Sequence, residues 1–423
     1  MDRRNFFQLA AGTAAVAALQ ERTAKRAFAA PRLANMSAEE MATDEDFWTE
    51  VRNEFTTDRT VINLNNGHVS PAPRTVQDAM RRYLDYSNQG PFHTMIRELT
   101  PRKESARRLI AEVAGVDPEE IAITRNSSES LEIAQLGLNL KAGDEVLTTN
   151  QDYPRMLTTF EQRERRDGIK LVQISFPVPA ISHDDLYQRF EKAVTPKTKA
   201  ILVCHITNRT GLIFPVRRIA DLAHAHGIPI IVDGAHAFNQ FPFKISDLNC
   251  DYYGVSLHKW TFAPVGTGFL YVKKDRIKDT WAMMASSPRQ DDNIRKFEEI
   301  GTFPAANFIS ICEAIVFNQN IGIERKVARL RYLKDRWANK LAQNPKVKIL
   351  HNTDTVMSAG IGMFSVTGAD PRALVDSLSR QNIFVALMPH SEYTGIRVTP
   401  SVYTTVEEVD HFAEVVDKEL KKA

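Results

Sequence analysis

The sequence predicts an α/β fold, with a mostly parallel seven-stranded sheet in a large domain and a smaller α+β domain at the C-terminus. Three observations carry that prediction. Seven short apolar runs recur between residues 121 and 272, amphipathic stretches separate them, and the pattern changes after Trp281.

The runs are IAIT (121–124), EVLTT (145–149), KLVQIS (170–175), KAILVCHI (199–206), IPIIVD (228–233), YYGVS (252–256) and GFLYV (268–272). Each is short and largely apolar, as a strand buried on both faces requires. Between them SESLEIAQLGL, MLTTFEQRERRD, HDDLYQRFEKAV and RRIADLAHAHG repeat apolar residues at three and four, which places crossover helices there. Residues 285–308 have no clear period. A helical pattern then runs from about Ile309 to Leu341, and VKIL, GIGMFSV and IFVALM follow, interleaved with the helical RALVDSLSRQ.

Composition agrees with a folded chain too long for one core. Of 423 residues, 43% are hydrophobic and 25% charged, near the globular average, and chains beyond roughly 300 residues usually divide. The 54 basic and 52 acidic side chains leave a net charge of +2 without a polybasic tract, so nucleic acid is not an expected partner. Cys204, Cys250 and Cys312 lie far apart and form neither a CxxC pair nor a disulfide framework, so no metal site is expected.

Residues 1–29 read as an address. Arg3-Arg4, two phenylalanines, the apolar LAAGTAAVAAL and the small-residue site Ala27-Phe28-Ala29 follow in the order of an export signal, and the arginine pair resembles a twin-arginine leader. The apolar stretch, at about 11 residues, is far short of the roughly 20 needed to span a bilayer, so no stable membrane anchor is expected. Cleavage after Ala29 would leave 49 basic and 50 acidic side chains. The expected partner of the leader is the twin-arginine translocation machinery and the expected location is the periplasm.

In doubly wound sheets ligands bind at the carboxyl ends of strands, so the residues just past each run are the informative ones. They are Ser127-Ser128, Asp152-Tyr153, Asn208-Arg209, Asp233 with Gly234-Ala235-His236, and His258-Lys259-Trp260. Ser127 and Ser128 would set hydroxyls and free N–H groups at a helix N-terminus, where an anion is favoured; the same residues also read as a simple N-cap. Asp233 ends a buried strand, a costly place for an unpaired carboxylate. Taken with Lys259 at the next strand end and the flat ring of Tyr153, these are the parts that pyridoxal phosphate needs: a Schiff-base lysine, a carboxylate for the ring nitrogen, a phosphate cradle and a stacking ring. His205 reads as a satisfied core residue. His224 and His226 read as a solvated helix end.

The segment from Ile230 to Val272 resembles the core of class V aminotransferase-like, fold-type I pyridoxal-phosphate enzymes, a group that includes the isopenicillin N epimerase-like branch and cysteine desulfurases. LNNGHVSPAP, TRNSSESL, HITNRTGLIFPV, EIGTFP and GIRVTPSVYTT are similar to further family elements, in the family's order. The resemblance implies residues 30–75 as an N-terminal segment packing with the small domain, 76–305 as the large cofactor-binding domain and 306–423 as the small domain. It implies Lys259 as the cofactor-bearing lysine and Asp233 as the partner of the ring nitrogen. Ser127, Ser128, Ser256 and His258 would hold the phosphate, Tyr153 would stack on the ring, and Asn208 would face its phenolate side. His236, where relatives often have glutamine, would bind the cofactor through a hydrogen bond to the phenolate oxygen. Thr302 would reach the phosphate of a neighbouring subunit, which implies a homodimer. Arg397 would pair the substrate's α-carboxylate, and His68 would lie near the substrate mouth.

The reaction expected is chemistry at the amino group or Cα of an amino acid, peptide or secondary metabolite, as a transferase first and an epimerase or lyase second. An exported binding protein that kept the fold is the alternative of another class, against which the intact Lys259, Asp233 and Arg397 argue. Desulfurases of the family carry a nucleophilic cysteine ahead of the carboxylate-binding arginine, whereas here that stretch reads FVALMPHSEYTGIR (384–397).

Overall fold

The computed structural model describes residues 36–422; the leader of residues 1–29 lies outside them. The chain enters through two short helices, α1 (Ala38–Ala42) and α2 (Glu45–Asn53), each capped by an acceptor side chain, Ser37 and Asp44. A two-residue strand β1 (Ile62–Asn63) precedes α3 (Arg74–Gln89) and α4 (Lys103–Ala114).

The large sheet then forms from β2 (Ile121–Thr124), β3 (Glu145–Thr149), β4 (Lys170–Ile174), β5 (Thr198–Cys204), β6 (Ile230–Asp233), β7 (Tyr252–Ser256) and β8 (Gly268–Val272). Its order is β2-β8-β7-β6-β5-β3-β4. β8 runs antiparallel to both β2 and β7, and the other pairings are parallel. The central strands are buried at nearly every position, which is why their sequences are continuous apolar runs. Successive residues face opposite sides: Ile201, Val203, Ile230 and Val232 join one core, while Ala200, Leu202 and Ile231 join another. Helices α5 (Ser127–Gly137), α6 (Pro154–Asp167), α7 (His183–Ala193) and α8 (Val216–Ala225) connect the parallel strands. Gly254 and Gly268 let α5 lie close on β7 and β8, since a Cβ would come within 2.6 Å of Leu131 at the first and 2.7 Å of Asn126 at the second.

The single helix expected over 309–341 is two, α10 (Ile311–Ile321) and α11 (Ile323–Leu341), preceded by the short α9 (Ala305–Ile309). Gly322, at φ 85°, breaks α10 and α11 apart, although apolar residues continue across it. The small domain follows as β9 (Val347–Ile349), β10 (Gly362–Val366), α12 (Pro371–Arg380), β11 (Ile383–Phe384), β12 (Ala386–Pro389), β13 (Thr394–Val398) and α13 (Val406–Lys422). The run IFVALM therefore splits. β11 pairs in parallel with β1, while β12 joins an antiparallel sheet of order β12-β13-β10-β9. α1 packs on α11. Among the described residues no helix is long and apolar enough to cross a membrane.

Candidate active site

A cavity of about 690 Å³ opens where the carboxyl ends of the large sheet meet β12 and β13. Asp233, the last residue of β6, is buried between Cys204 of β5 and Gly254 of β7. Its Oδ1 accepts the Ala235 N–H at 2.9 Å. Burial, aided by nearby Asp152, pushes its carboxyl up to about 6 against the opposing pull of the Ala235 N–H and Lys259. Lys259, three residues past β7, keeps part of its surface in the cavity. Burial lowers its ammonium to about 8; Asp233 opposes that shift, and Arg397 adds to it.

The anion cradle is built by a cap. Asn126, not a serine, is the N-cap of α5, its side chain accepting from Glu129 N at 2.9 Å. The simple N-cap reading of Ser127 and Ser128 is thereby corrected, because both sit inside the first turn, where helix N–H groups lack intrahelical partners. Ser127 N donates to Ser256 Oγ at 2.9 Å, and that hydroxyl donates to Ser127 Oγ at 2.8 Å. His258 lines the same cavity, its imidazole held down to about 4, chiefly by burial.

Tyr153 is the N-cap residue of α6 and forms part of the wall. Asn208, His236 and His68 also line the cavity, with His68 exposed at its edge. Lys259 Nζ lies 3.1 Å from His236 Nε2. Arg397, in β13, is buried; its Nη1 donates to the Asn208 carbonyl at 2.8 Å and its Nη2 to Asn65 Oδ1 at 2.9 Å. Burial lowers its guanidinium to about 10. Eleven of the twelve residues singled out from sequence thus share one cavity. Thr302 does not: it is exposed on the loop before α9 and lies outside this wall.

The structure gives a place to residues that the sequence left without a role. Asn65 orients Arg397, and Arg209 lines the cavity beside Asn208. Asp152 is wholly buried and accepts from Thr148 Oγ1, Thr149 N and Thr149 Oγ1. Asp152 and Arg209 both stand in the post-strand positions named from sequence, but residue type alone gave neither a role. Asn65 lies in the family-like LNNGHVSPAP, but nothing local marks its pairing with Arg397, 332 residues away. Two histidines outside the cavity also resolve. His205 Nδ1 is 2.8 Å from the Tyr253 hydroxyl in the core. The solvated reading of His224 is corrected, because its Nε2 lies 2.9 Å from buried Asp251 Oδ2, which the sequence separation concealed; His226 is exposed.

These donors suit pyridoxal phosphate. Among the described residues His258 Nδ1, Asn208 Oδ1 and Arg397 Nε are buried without a partner, and a buried polar atom left so is costly. Ser127, Ser128, Ser256 and His258 would hold the phosphate, Asp233 the ring nitrogen and Lys259 the aldehyde carbon.

Known proteins are similar to this chain in sequence and fold. The chain is 28% identical over 388 residues to isopenicillin N epimerase of Streptomyces clavuligerus, covering 88% of this chain and 98% of that one. It superposes on the apo cysteine desulfurase of Thermococcus onnurineus NA1 with a TM-score of 0.79 at 25% identity, covering 90% and 98% of the two chains. Against C-DES with glycine covalently linked to its PLP cofactor the TM-score is 0.78 at 23% identity, covering 86% and 99%. The aminotransferase class-V model matches residues 62–412. Family match, fold-type I architecture and donor set agree, so this chain belongs to the aminotransferase class-V family and its cofactor is pyridoxal phosphate.

Proposed function

We propose that the protein is an exported enzyme that moves a proton at Cα of an amino acid, peptide or secondary metabolite and transfers its amino group. One observation carries this reading: Lys259, with an amine lowered to about 8, shares a cavity with buried Asp233 and with Arg397. Bound pyridoxal phosphate supplies the electron sink that weakens the bonds at Cα. Asp233 holds the proton of the ring nitrogen. Lys259 Nζ takes the Cα proton and returns it, a role suited to a group that titrates near neutral pH. Arg397 orients the substrate through its α-carboxylate.

Epimerisation is the second reading, favoured by the similarity to isopenicillin N epimerase and by His68 as a further proton-bearing group at the cavity edge. Persulfide chemistry is disfavoured. The 384–397 stretch has no cysteine, and Cys204, the one cysteine lining the cavity, has its thiol pushed well up by burial.

Incubating holoprotein with amino acids in D2O, with and without a keto-acid acceptor, tests the proposal. Deuterium at Cα with an aminated acceptor supports transfer; deuterium with inverted configuration and no acceptor requirement supports epimerisation. Absence of exchange across amino acids and aminoacyl peptides would overturn both. Export is tested separately: Arg3→Lys with Arg4→Lys should retain the precursor in the cytoplasm, and an unchanged periplasmic yield would reject the twin-arginine route. A homodimer in which Thr302 serves the neighbouring cofactor completes the proposal, supported by the exposed apolar side chains Leu84, Phe92 and Trp281. A monomeric mass for the holoprotein in solution would reject it.

A further inference from the structure

The cavity holds two buried guanidinium groups, and the chemistry described so far uses one. Arg209 is 8% exposed and Arg397 is 5% exposed. Among the described residues neither forms an ion pair, unlike buried Arg107 and Arg329, which meet Glu298 and Glu45, and the Nε of each is buried without a partner. An arginine is seldom buried unless an anion meets it.

The two groups are neighbours. Arg397 Nη1 donates to the carbonyl of Asn208, the residue before Arg209. Arg209 Nη1 in turn donates to the Pro389 carbonyl at 2.8 Å, at the end of β12, which pairs with the strand carrying Arg397. The charge of Arg209 disfavours the charged form of Arg397. Arg209 is fixed from its own side as well. Its turn is closed by Thr207 Oγ1 against Thr210 Oγ1 at 2.9 Å, and Gly211 takes φ 73°.

Among the described residues no acid pairs with Arg209. On the facing hairpin Glu392 is exposed and accepts from Asn150 Nδ2 at 2.9 Å instead. A phosphate held by Ser127 and Ser256 would not answer it either. The Ser127–Ser256 cradle lies at β7, Asp233 stands on β6, and Arg209 follows β5 on the other side. A second anion on the substrate would meet it directly.

We propose that Arg209 binds a second carboxylate, so that the substrate class is α-amino acids whose side chain ends in a carboxylate. This rests on the reading of Arg397 as the α-carboxylate site. The two arginines then form a clamp with one fork for each end of the substrate. Such a clamp separates diacids from monoacids by charge and sets the accepted chain length by its span.

The test uses dead-end ligands without an amino group, so that binding is read apart from turnover. Cofactor uptake is first recorded as visible absorbance. Succinate and glutarate are then compared by calorimetry with butyrate and pentanoate, their length-matched monoacids. At least one diacid should bind about tenfold or more tightly than its monoacid, the margin of a single charge-assisted contact. Arg209→Gln should bring diacid affinity down to the monoacid level while monoacid affinity stays within about twofold, and Arg209→Lys should keep part of the preference. Equal binding of diacid and monoacid by the wild-type protein overturns the proposal, even if Arg209→Gln does not fold. A preference that survives Arg209→Gln overturns it too, and leaves Arg209 as a tether for Pro389. The failures are distinguishable: protein that takes up pyridoxal phosphate yet shows no diacid preference rejects the Arg209 site alone. Protein that takes up no cofactor rejects the enzyme reading, and the same ligand comparison on it still decides Arg209.

Discussion

Lys259 Nζ and His236 Nε2 lie 3.1 Å apart, and a third residue settles how they share protons. The indole N–H of Trp260 points to His236 Nδ1 at 3.4 Å. An indole nitrogen only donates, so Nδ1 carries the lone pair and the proton of a neutral imidazole sits on Nε2. Burial, reinforced by Lys259, keeps the ring neutral. His236 can therefore donate to Lys259 once that amine is neutral, above about pH 8.

That arrangement predicts the pH dependence of cofactor capture. Only a neutral amine attacks an aldehyde, and burial brings Lys259 down to about 8 from the ordinary lysine range. The rate at which apoprotein turns yellow on adding pyridoxal phosphate should rise as pH increases toward about 8 and level above it. An unshifted lysine would keep gaining rate to about pH 10. Stopped-flow absorbance measures this, and a rate still climbing well above pH 9 would contradict it. Lys259→Ala should lose the covalent link altogether.

Asp233 predicts an opposition between stability and turnover. Its folded-state pKa, raised to about 6, lies above the unfolded value, so ionisation opposes folding and the stability it contributes falls as pH rises from about 4 to about 6. Asp233→Asn apoprotein should melt higher than wild type above pH 6, with the gain gone by about pH 4. The holoprotein should meanwhile lose turnover by about a hundredfold, because a neutral amide cannot hold the ring nitrogen protonated. Calorimetric scans across pH check the first part. Parallel loss of cofactor and turnover would make Asp233 chiefly a structural residue.

The strands were legible because a parallel sheet covered on both faces needs continuous apolar runs, and the site followed from their ends. IAIT, EVLTT, YYGVS and GFLYV form strands over the residues expected, whereas KAILVCHI stops at Cys204 because Ile206 turns to bridge Ile213. The small domain was less legible. GIRV was read for its arginine and not as a strand, and IFVALM hid a change of partner at Val385, since pairing between short strands leaves little trace in apolar pattern alone. In the site, residues contributed by strand ends were found and the second layer was missed. Asn65 and Lys326 act across hundreds or tens of residues, and no local spacing marks such contacts.

Lys326 predicts a stability effect from that hidden layer. Its buried Nζ donates to the Trp260 carbonyl and to Asn318 Oδ1, and lies 4.1 Å from the Phe262 ring centroid. Asn318 Nδ2 donates to the Thr261 carbonyl at 2.7 Å. α10 and α11 thus hold the turn after Lys259, in which Phe262 takes φ 61°. Lys326→Met keeps the volume but leaves two buried acceptors unpartnered, at about 1–3 kcal/mol each. Unfolding in denaturant should show a loss of about 2–4 kcal/mol, and a loss under about 0.5 kcal/mol would mean that the turn holds without this contact.

Arg397 separates recognition from chemistry. Its Nη groups are fixed by Asn208 and Asn65, so the guanidinium is oriented before substrate arrives. For a substrate with a free α-carboxylate, Arg397→Ala should raise KM and lower kcat/KM together, since the fork both binds and aligns; a charged hydrogen-bonded contact contributes about 1.5–3 kcal/mol, or roughly ten- to a hundredfold. The visible band of the substrate-free holoprotein should barely move, because the arginine meets substrate and not cofactor. Arg397→Lys should recover only part of the loss, as an ammonium cannot form the fork. If the reacting residue has its α-carboxylate locked in a peptide bond, the guanidinium has no partner there and Arg397→Ala should be nearly silent on the true substrate. Steady-state kinetics of the two variants on a free amino acid and on an aminoacyl peptide decide between these substrates, and near-normal kinetics for Arg397→Ala with a free amino acid would overturn its assignment as the α-carboxylate site.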